Sequence, residues 1–268
     1  MAETAPLTEH PNPLQAVADA FRTGIDHTVV VVTGSEPLDP LAVAELPADA
    51  IIIAADGGLD HALSAGLRPA GLVGDLDSIT ADGLEWAEAH ATVERHDPRK
   101  DQTDTELALA MAIDLNPARL VLLAGGGDRL DHTLGALGAL GHPTLTSIPI
   151  IEGWWGRQRI RVLHGPGRAQ FDHVAPGTSL SILAAHGPCE GVTLTGVEWP
   201  LANHQLDPLV GLGISNVTVD TTVTISVLHG VVTVFLAPLG EAPVVTSATT
   251  DTTDTTDATG EARESSEG

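Results

Sequence analysis

The segment Lys100-Asp101-Gln102-Thr103-Asp104-Thr105-Glu106 sets one ammonium beside two aspartates and a glutamate, and Lys100 is the sole lysine in 268 residues. Carboxylates grip hard cations through oxygen, and a point charge beside them can neutralise a bound phosphate. Part of the segment has a local explanation. Thr103-x-x-Glu106 ahead of Leu107-Ala108-Leu109 has the pattern of a capping box, in which the two side chains satisfy orphan N–H groups of a helix. That role leaves Lys100 and Asp101 unexplained and makes Asp104 only a first-turn acid.

Two further segments carry related chemistry. In Gly74-Asp75-Leu76-Asp77-Ser78, after an apolar run, strand alternation would send Asp75 and Asp77 to one side as a two-toothed ligand for Mg²⁺. In Gly125-Gly126-Gly127-Asp128-Arg129-Leu130-Asp131-His132, glycines let backbone N–H groups approach an anion, ahead of a helix start expected over 131–134. The Walker spacing with its Lys-Ser/Thr is absent, but the Arg129 guanidinium suits phosphate oxygens.

The elements that must position these segments show in the hydrophobic pattern. Apolar runs over 28–32, 50–54, 71–73, 92–95 and 120–124 alternate with helical patterns, which predicts a parallel sheet with crossover helices. Each run leads into a Gly- or Asp-bearing segment, and in open α/β sheets ligands sit beyond the carboxyl ends of the strands. Asp56, Asp75, Asp77, Asp101 and Asp104 are therefore expected to crowd one crevice. Such a group is tolerable only with a bound cation or raised pKa values.

From about residue 165 the pattern changes to short alternating stretches over 179–183, 217–219, 222–227 and 231–235, as in an antiparallel sandwich. The fold class is thus α/β: an N-terminal parallel-sheet catalytic domain followed by a C-terminal antiparallel β-sandwich. The expected divisions are an N-terminal extension over 1–24, an α/β domain over 25–160, a sandwich over 165–240 and a disordered Thr/Asp tail over 244–268.

Composition narrows the function. With 36 acidic against 12 basic residues and a net charge of -24, nucleic acid is excluded as a main partner. A phosphorylated ligand would then need a metal, backbone N–H groups or a few placed cations. One cysteine, Cys189, fits a reducing compartment, and neither an export signal nor a membrane span is visible, so the expected location is cytoplasmic. The 12 histidines lack the i, i+4 pairs of a zinc enzyme and, His132 apart, read as structural or solvent-facing.

In this order, Asp56-Gly57-Gly58, Gly74-Asp75-Leu76-Asp77-Ser78, Lys100-Asp101-x-Thr103-Asp104-x-Glu106 and Gly127-x-Arg129-x-Asp131-His132 resemble the thiamine pyrophosphokinase family. Gly196-Val197-Glu198-Trp199-Pro200-Leu201 and Gly213-Ile214-Ser215-Asn216 are similar to its thiamine-binding sandwich. The resemblance spans roughly 28–237. It implies diphosphate transfer from Mg-ATP to the thiamine hydroxyl with release of AMP, in a homodimer whose site lies between the two subunits. By the same resemblance Asp75 and Asp77 hold Mg²⁺ with Asp101 or Asp104, and Lys100 offsets phosphate charge. Asp101 is the expected base. Asp56, Gly57, Gly58, Thr103, Arg129, Asp131 and His132 line the ATP pocket, and Ser215 with Asn216 contacts thiamine, with Trp154, Trp155 and Trp199 as candidate aromatic shelves.

Departures are Asp60 where the family often has asparagine, Pro69-Ala70 in place of Pro-Asp, and Asp128 in place of a glycine. Alternatives are a diphosphokinase for another alcohol such as a pterin, or a catalytically silent nucleotide- or thiamine-binding module. A haloacid-dehalogenase-type phosphatase would place its aspartate near the chain start. A nucleotide-sugar transferase would leave residues 100–106 unexplained.

Overall fold

Strands buried on both faces must be apolar along their buried length, and β1 (Thr28–Val32), β2 (Ile51–Ala55) and β5 (Arg119–Ala124) have that character from Val29, Ile51 and Leu120 onward. The computed structural model describes residues 27–127 and 129–241. The expected extension over 1–24, the tail over 244–268 and Asp128 lie outside the described residues. Strands β1, β2, β3 (Gly71–Gly74), β4 (Thr92–Arg95) and β5 pair in parallel, and β6 (Ile150–Trp155) joins β5 in the same sense.

The crossovers are α1 (Pro40–Ala44), α2 (Gly58–Ser64), α3 (Ala81–His90), α4 (Asp104–Asp114) and α5 (Leu130–Leu140). Helices α4 and α5 cover one face, where Leu107, Ala108 and Leu140 meet Val31, Ile53 and Leu122. Helices α1 and α2 cover the other, where Ala42 and Ala62 meet Val30, Val32 and Val121. Gly58 permits this approach, since a Cβ there would collide with Val32 O. The capping box at Thr103 and Glu106 is formed in both directions and fixes the start of α4.

Strand β6 turns into β7 (Gln158–His164), and there the sheet becomes antiparallel. With β9 (Ser179–Leu183), β12 (Asn216–Val217) and β14 (Val231–Leu236) it forms one ten-stranded sheet, ordered β12-β9-β14-β7-β6-β5-β1-β2-β3-β4. A second sheet of β11 (Leu201–Leu206), β10 (Cys189–Thr195), β13 (Thr222–Val227) and β8 (Gly167–Asp172) packs on its antiparallel end around Leu180, Ile182, Val192 and Ile225. The chain is therefore an α/β unit continued into an antiparallel sandwich. The expected division between 160 and 165 falls at the end of the β6–β7 hairpin, through which the first sheet runs without a break.

Two histidines pin the end of α5 to the sandwich. His164 Nε2 lies 3.4 Å from Leu140 O, and His186 Nε2 lies 3.1 Å from Thr233 Oγ1, with its ring against Gly141. Burial pulls both pKa values below 6.5, and the charge of His164 adds to this at His186. The folded state thus favours the neutral rings. Their contribution is complete above pH 6.5 and is lost as the pH falls through the depressed folded values. Chemical-denaturation stability is expected to drop on acidification by at most about 1.4 kcal/mol per pH unit for each histidine. The double substitution His164→Asn and His186→Asn should flatten that slope, and an unchanged slope would contradict the assignment.

Candidate active site

The carboxyl ends of β1 to β5 open into a cavity of about 620 Å³, lined by Thr33, Asp56, Ser78, Asp104, Arg129 and His132 among others. Asp56 follows β2 in a left-handed conformation, φ 46°, and its N–H donates to Val73 O. Asp104 opens α4, so the capping box aims its carboxylate back at the strand ends. Asp75 follows β3. Gly74 allows the three to close up, because a Cβ there would touch Asp104 Oδ1 and the Asp56 Cβ at 3.1 Å each. Carboxylate oxygens of Asp56, Asp75 and Asp104 lie within 4.8 Å of one another.

Lys100 completes the group. Its Nζ lies 3.0 Å from Asp104 Oδ1 and 3.7 Å from Asp75 Oδ2, with the lysine side chain only 15% exposed. Burial works against the ammonium, but Asp104 and Asp75 outweigh it and hold its pKa above the usual lysine value. One ammonium cannot balance three carboxylates, and like charges at this spacing repel by about 3–4 kcal/mol per pair at an effective dielectric near 20. Burial pushes the Asp56 carboxyl up, and the charges of Asp104 and Asp75 add to that, offset in part by the nearby Gly57 N–H and Ser78 hydroxyl. Asp56 Oδ1 is buried without a hydrogen-bond partner, and Asp104 Oδ1 has the Lys100 contact only as an ion pair that lacks hydrogen-bond geometry. Hard oxygen donors left unsatisfied at this separation fit a divalent cation such as Mg²⁺.

The Asp-x-Asp pair does not lie on one extended stretch of backbone. Leu76 adopts φ 65°, so alternation ends at β3. Asp77 is exposed, with Oδ1 accepting from Ser78 Oγ, and Asp101 is exposed as well; neither joins the acidic group. Gly57 caps α2 beside Ser78 O, and Thr103 lines the cavity. Arg129, Asp131 and His132 line its far wall. Arg129 Nε and Nη2 donate to the Asp131 carboxylate at 3.0 and 2.7 Å, which holds that carboxyl well below the usual range. The helix starts at Leu130, one residue before the expected 131–134 segment.

A clamp that the sequence did not reveal is Asp60. From the first turn of α2 its two oxygens accept from Thr80 N–H and Thr80 Oγ, both at 2.8 Å, and Thr80 in turn caps α3. Gly83 keeps the space, since a Cβ there would strike Asp60 Oδ1. Asp60 thus ties the helix after Asp56 to the end of the loop that carries Asp75. Only an acid or amide two residues after Asp-Gly-Gly hinted at it.

The sandwich residues stand apart. Ser215 is exposed in a left-handed conformation, φ 59°, and its N–H donates to Ser181 Oγ. Asn216 is 2% exposed; its Oδ1 accepts from the N–H groups of Trp199 and Val217, and its Nδ2 donates to Trp199 O. Its side chain therefore holds the Trp199 segment in place. Trp199 is 56% exposed, Trp154 is 1% exposed, and Trp155 lines the cavity. Strand β12 lies five strand positions from β5, about 24 Å at 4.8 Å per strand.

The thiamin pyrophosphokinase catalytic domain matches residues 44–151, and the thiamin pyrophosphokinase vitamin B1 binding domain matches residues 168–232. The thiamine pyrophosphokinase of Bacillus subtilis (strain 168) is 28% identical over 205 residues, covering 75% of this chain and 94% of its own. The crystal structure of thiamine pyrophosphokinase from Bacillus subtilis is similar at TM-score 0.68 and 26% identity, over 79% of this chain and 99% of that one. The structure from Geobacillus thermodenitrificans gives 0.65 and 26%, over 80% and 99%. With both family domains present in sequence, on the architecture of these relatives, the chain belongs to the thiamin pyrophosphokinase family.

Proposed function

We propose that this chain is a thiamine pyrophosphokinase, moving a diphosphate from Mg-ATP to the hydroxyethyl oxygen of thiamine. The observation that carries this is the meeting of Asp56, Asp75, Asp104 and Lys100 at the strand ends, beside a glycine-lined cavity, in a chain of this family. The new bond joins the thiamine oxygen to the β-phosphorus, the bridging bond to the α-phosphate breaks, AMP leaves and the hydroxyl proton is lost. Asp56, Asp75 and Asp104 would hold Mg²⁺, which when bound supplies charge neutralisation of the phosphate oxygens. Lys100 holds its proton and faces the same oxygens. Arg129, His132 and the N–H groups around Gly126 and Gly127 bind the nucleotide. Asp77 and Asp101 stay exposed outside the acidic group, and Asp101, next to Lys100 in the chain, would accept the hydroxyl proton.

The distance from β12 to the acidic group favours a homodimer, in which the sandwich of one subunit brings thiamine to the catalytic end of the other. Leu209, Val210, Leu212, Ile214 and Trp199 are all at least 46% exposed around that edge, an apolar surface suited to such a contact. Trp199, held by Asn216 beside Ser215, is the aromatic shelf. Among the described residues no helix is long and apolar enough to cross a membrane. A cytoplasmic setting suits the free thiol of Cys189 and a Mg-ATP substrate.

AMP release from Mg-ATP should require thiamine, and a pterin alcohol should not replace it. Thiamine-independent AMP release, or none at all, would overturn the assignment. Asp60→Ala is expected to weaken Mg²⁺ activation by about 10–100-fold, the range for residues that orient metal ligands, with Asp60→Asn between it and the parent. An unaltered Mg²⁺ dependence in Asp60→Ala would refute the clamp.

A further inference from the structure

Five buried side-chain polar atoms lack a hydrogen-bond partner among the described residues, and they separate by charge. Two are the acceptor oxygens of Asp56 and Asp104, in the acidic group. The other three are donors, Trp154 Nε1, Arg159 Nε and Arg161 Nε, and all three stand on the β6–β7 hairpin. Trp154 pairs with Arg159 and Glu152 with Arg161 across the hairpin. Trp154 is 1% exposed, Glu152 3% and Arg161 9%. The Arg159 guanidinium lies 5.7 Å from the centre of the Trp154 ring.

Among the described residues Glu152 is the sole acid in ion-pair contact with Arg119, Arg159 and Arg161. Its Oε2 accepts from Arg119 Nε and Nη2 at 2.9 and 2.5 Å, and its Oε1 accepts from Arg159 Nη2 at 2.6 Å. Arg161 Nη1 stays 3.8 Å away, and its Nη2 donates to Pro149 O. Three guanidiniums against one carboxylate leave two positive charges uncompensated in a chain of net charge -24. One arginine would suffice to pair Glu152, and each further buried cation carries a desolvation penalty without a counter-charge. Water could satisfy a donor but could not balance the charge. Arg119 and Arg159 are 22% and 32% exposed at the side chain, so the cluster reaches solvent along one edge.

We propose that Arg119, Arg159, Arg161 and Trp154 form a binding site for a small oxyanion of the phosphate class, separate from the cavity at the strand ends. The anion enters on the Arg119 and Arg159 side, accepts charge-assisted hydrogen bonds from the guanidiniums, and draws the orphan donors toward it. Trp155, the next residue along β6, lines the other cavity, so the two sites flank one strand.

The chain has four tryptophans, so the indole N–H region of a ¹⁵N spectrum of the full chain reads Trp154 directly once Trp154→Phe assigns it. Inorganic phosphate is expected to shift the Trp154 signal saturably, with sodium chloride at equal ionic strength leaving it in place. A Trp154 shift with phosphate that Arg159→Gln weakens identifies the free anion as the ligand, and a shift with ATP alone counts for a nucleotide phosphate at this site only where Arg159→Gln weakens it too, because ATP in the strand-end cavity reaches Trp155 next door. Arg159→Gln should weaken the effect by about tenfold or more, as for loss of a charge-assisted hydrogen bond. No saturable Trp154 shift with either probe in the unsubstituted protein, or an equal response to chloride, would overturn the site without any variant having to fold.

Discussion

Asp75→Asn is expected to lower the rate of thiamine-dependent AMP formation by about 10²–10³, the usual loss when one preorganised electrostatic partner of a reacting group is removed. The substitution keeps shape and removes one of three carboxylates whose oxygens sit within 4.8 Å. Without metal, that relieves repulsion, so the substituted protein should melt no lower than the parent. With Mg²⁺, the parent should gain stability and the variant should not, because a ligand that binds only the folded state stabilises it. A variant that turns over near normally, or still gains stability from Mg²⁺, would remove Asp75 from the site.

Lys100→Ala is expected to reduce turnover by a similar factor, about 10²–10³, with the opposite effect on the metal-free fold. Its ammonium lies 3.0 Å from Asp104 and 3.7 Å from Asp75, and among the described residues deleting it leaves the acidic group with no cation in ion-pair contact. The melting temperature without Mg²⁺ should therefore fall, and added Mg²⁺ should restore much of the loss. Lys100→Arg should not recover the rate, because a planar fork cannot occupy the space of a compact point charge between two carboxylates. Opposite stability shifts for two substitutions that both abolish turnover are difficult to obtain from general damage. Equal shifts would argue against the charge balance drawn here.

What the sequence made legible follows from how local each signal is. Beyond their first residues the runs at β1 and β5 are apolar because both faces are covered, and the Thr103/Glu106 box marks the start of α4 with side chains only three residues apart. Strand β6 did not stand out, since Glu152 and Gly153 interrupt its apolar pattern and the charge of Glu152 is matched by arginines on β5 and β7. Nothing local announces that β14 pairs with β7, so the continuity of the ten-stranded sheet was not readable.

The acidic residues divide in the same way. Convergence at the strand ends was legible, but membership of the group depended on backbone conformation. The left-handed Leu76 turns Asp77 away into solvent, whereas the left-handed Asp56 sets its own carboxylate beside Asp75 and Asp104, although the resemblance had given it only to the nucleotide pocket. Asn216 was named for its place in a motif, and its polar atoms instead hold Trp199.

The most direct test is a crystal of the protein soaked with Mn²⁺ and measured at the manganese absorption edge. One anomalous peak is expected among Asp56, Asp75 and Asp104, about 2.0–2.6 Å from an oxygen of each, and absent from Asp75→Asn crystals. A peak elsewhere on the acidic surface, or none at a saturating concentration, would contradict the cation site on which the proposed activity depends.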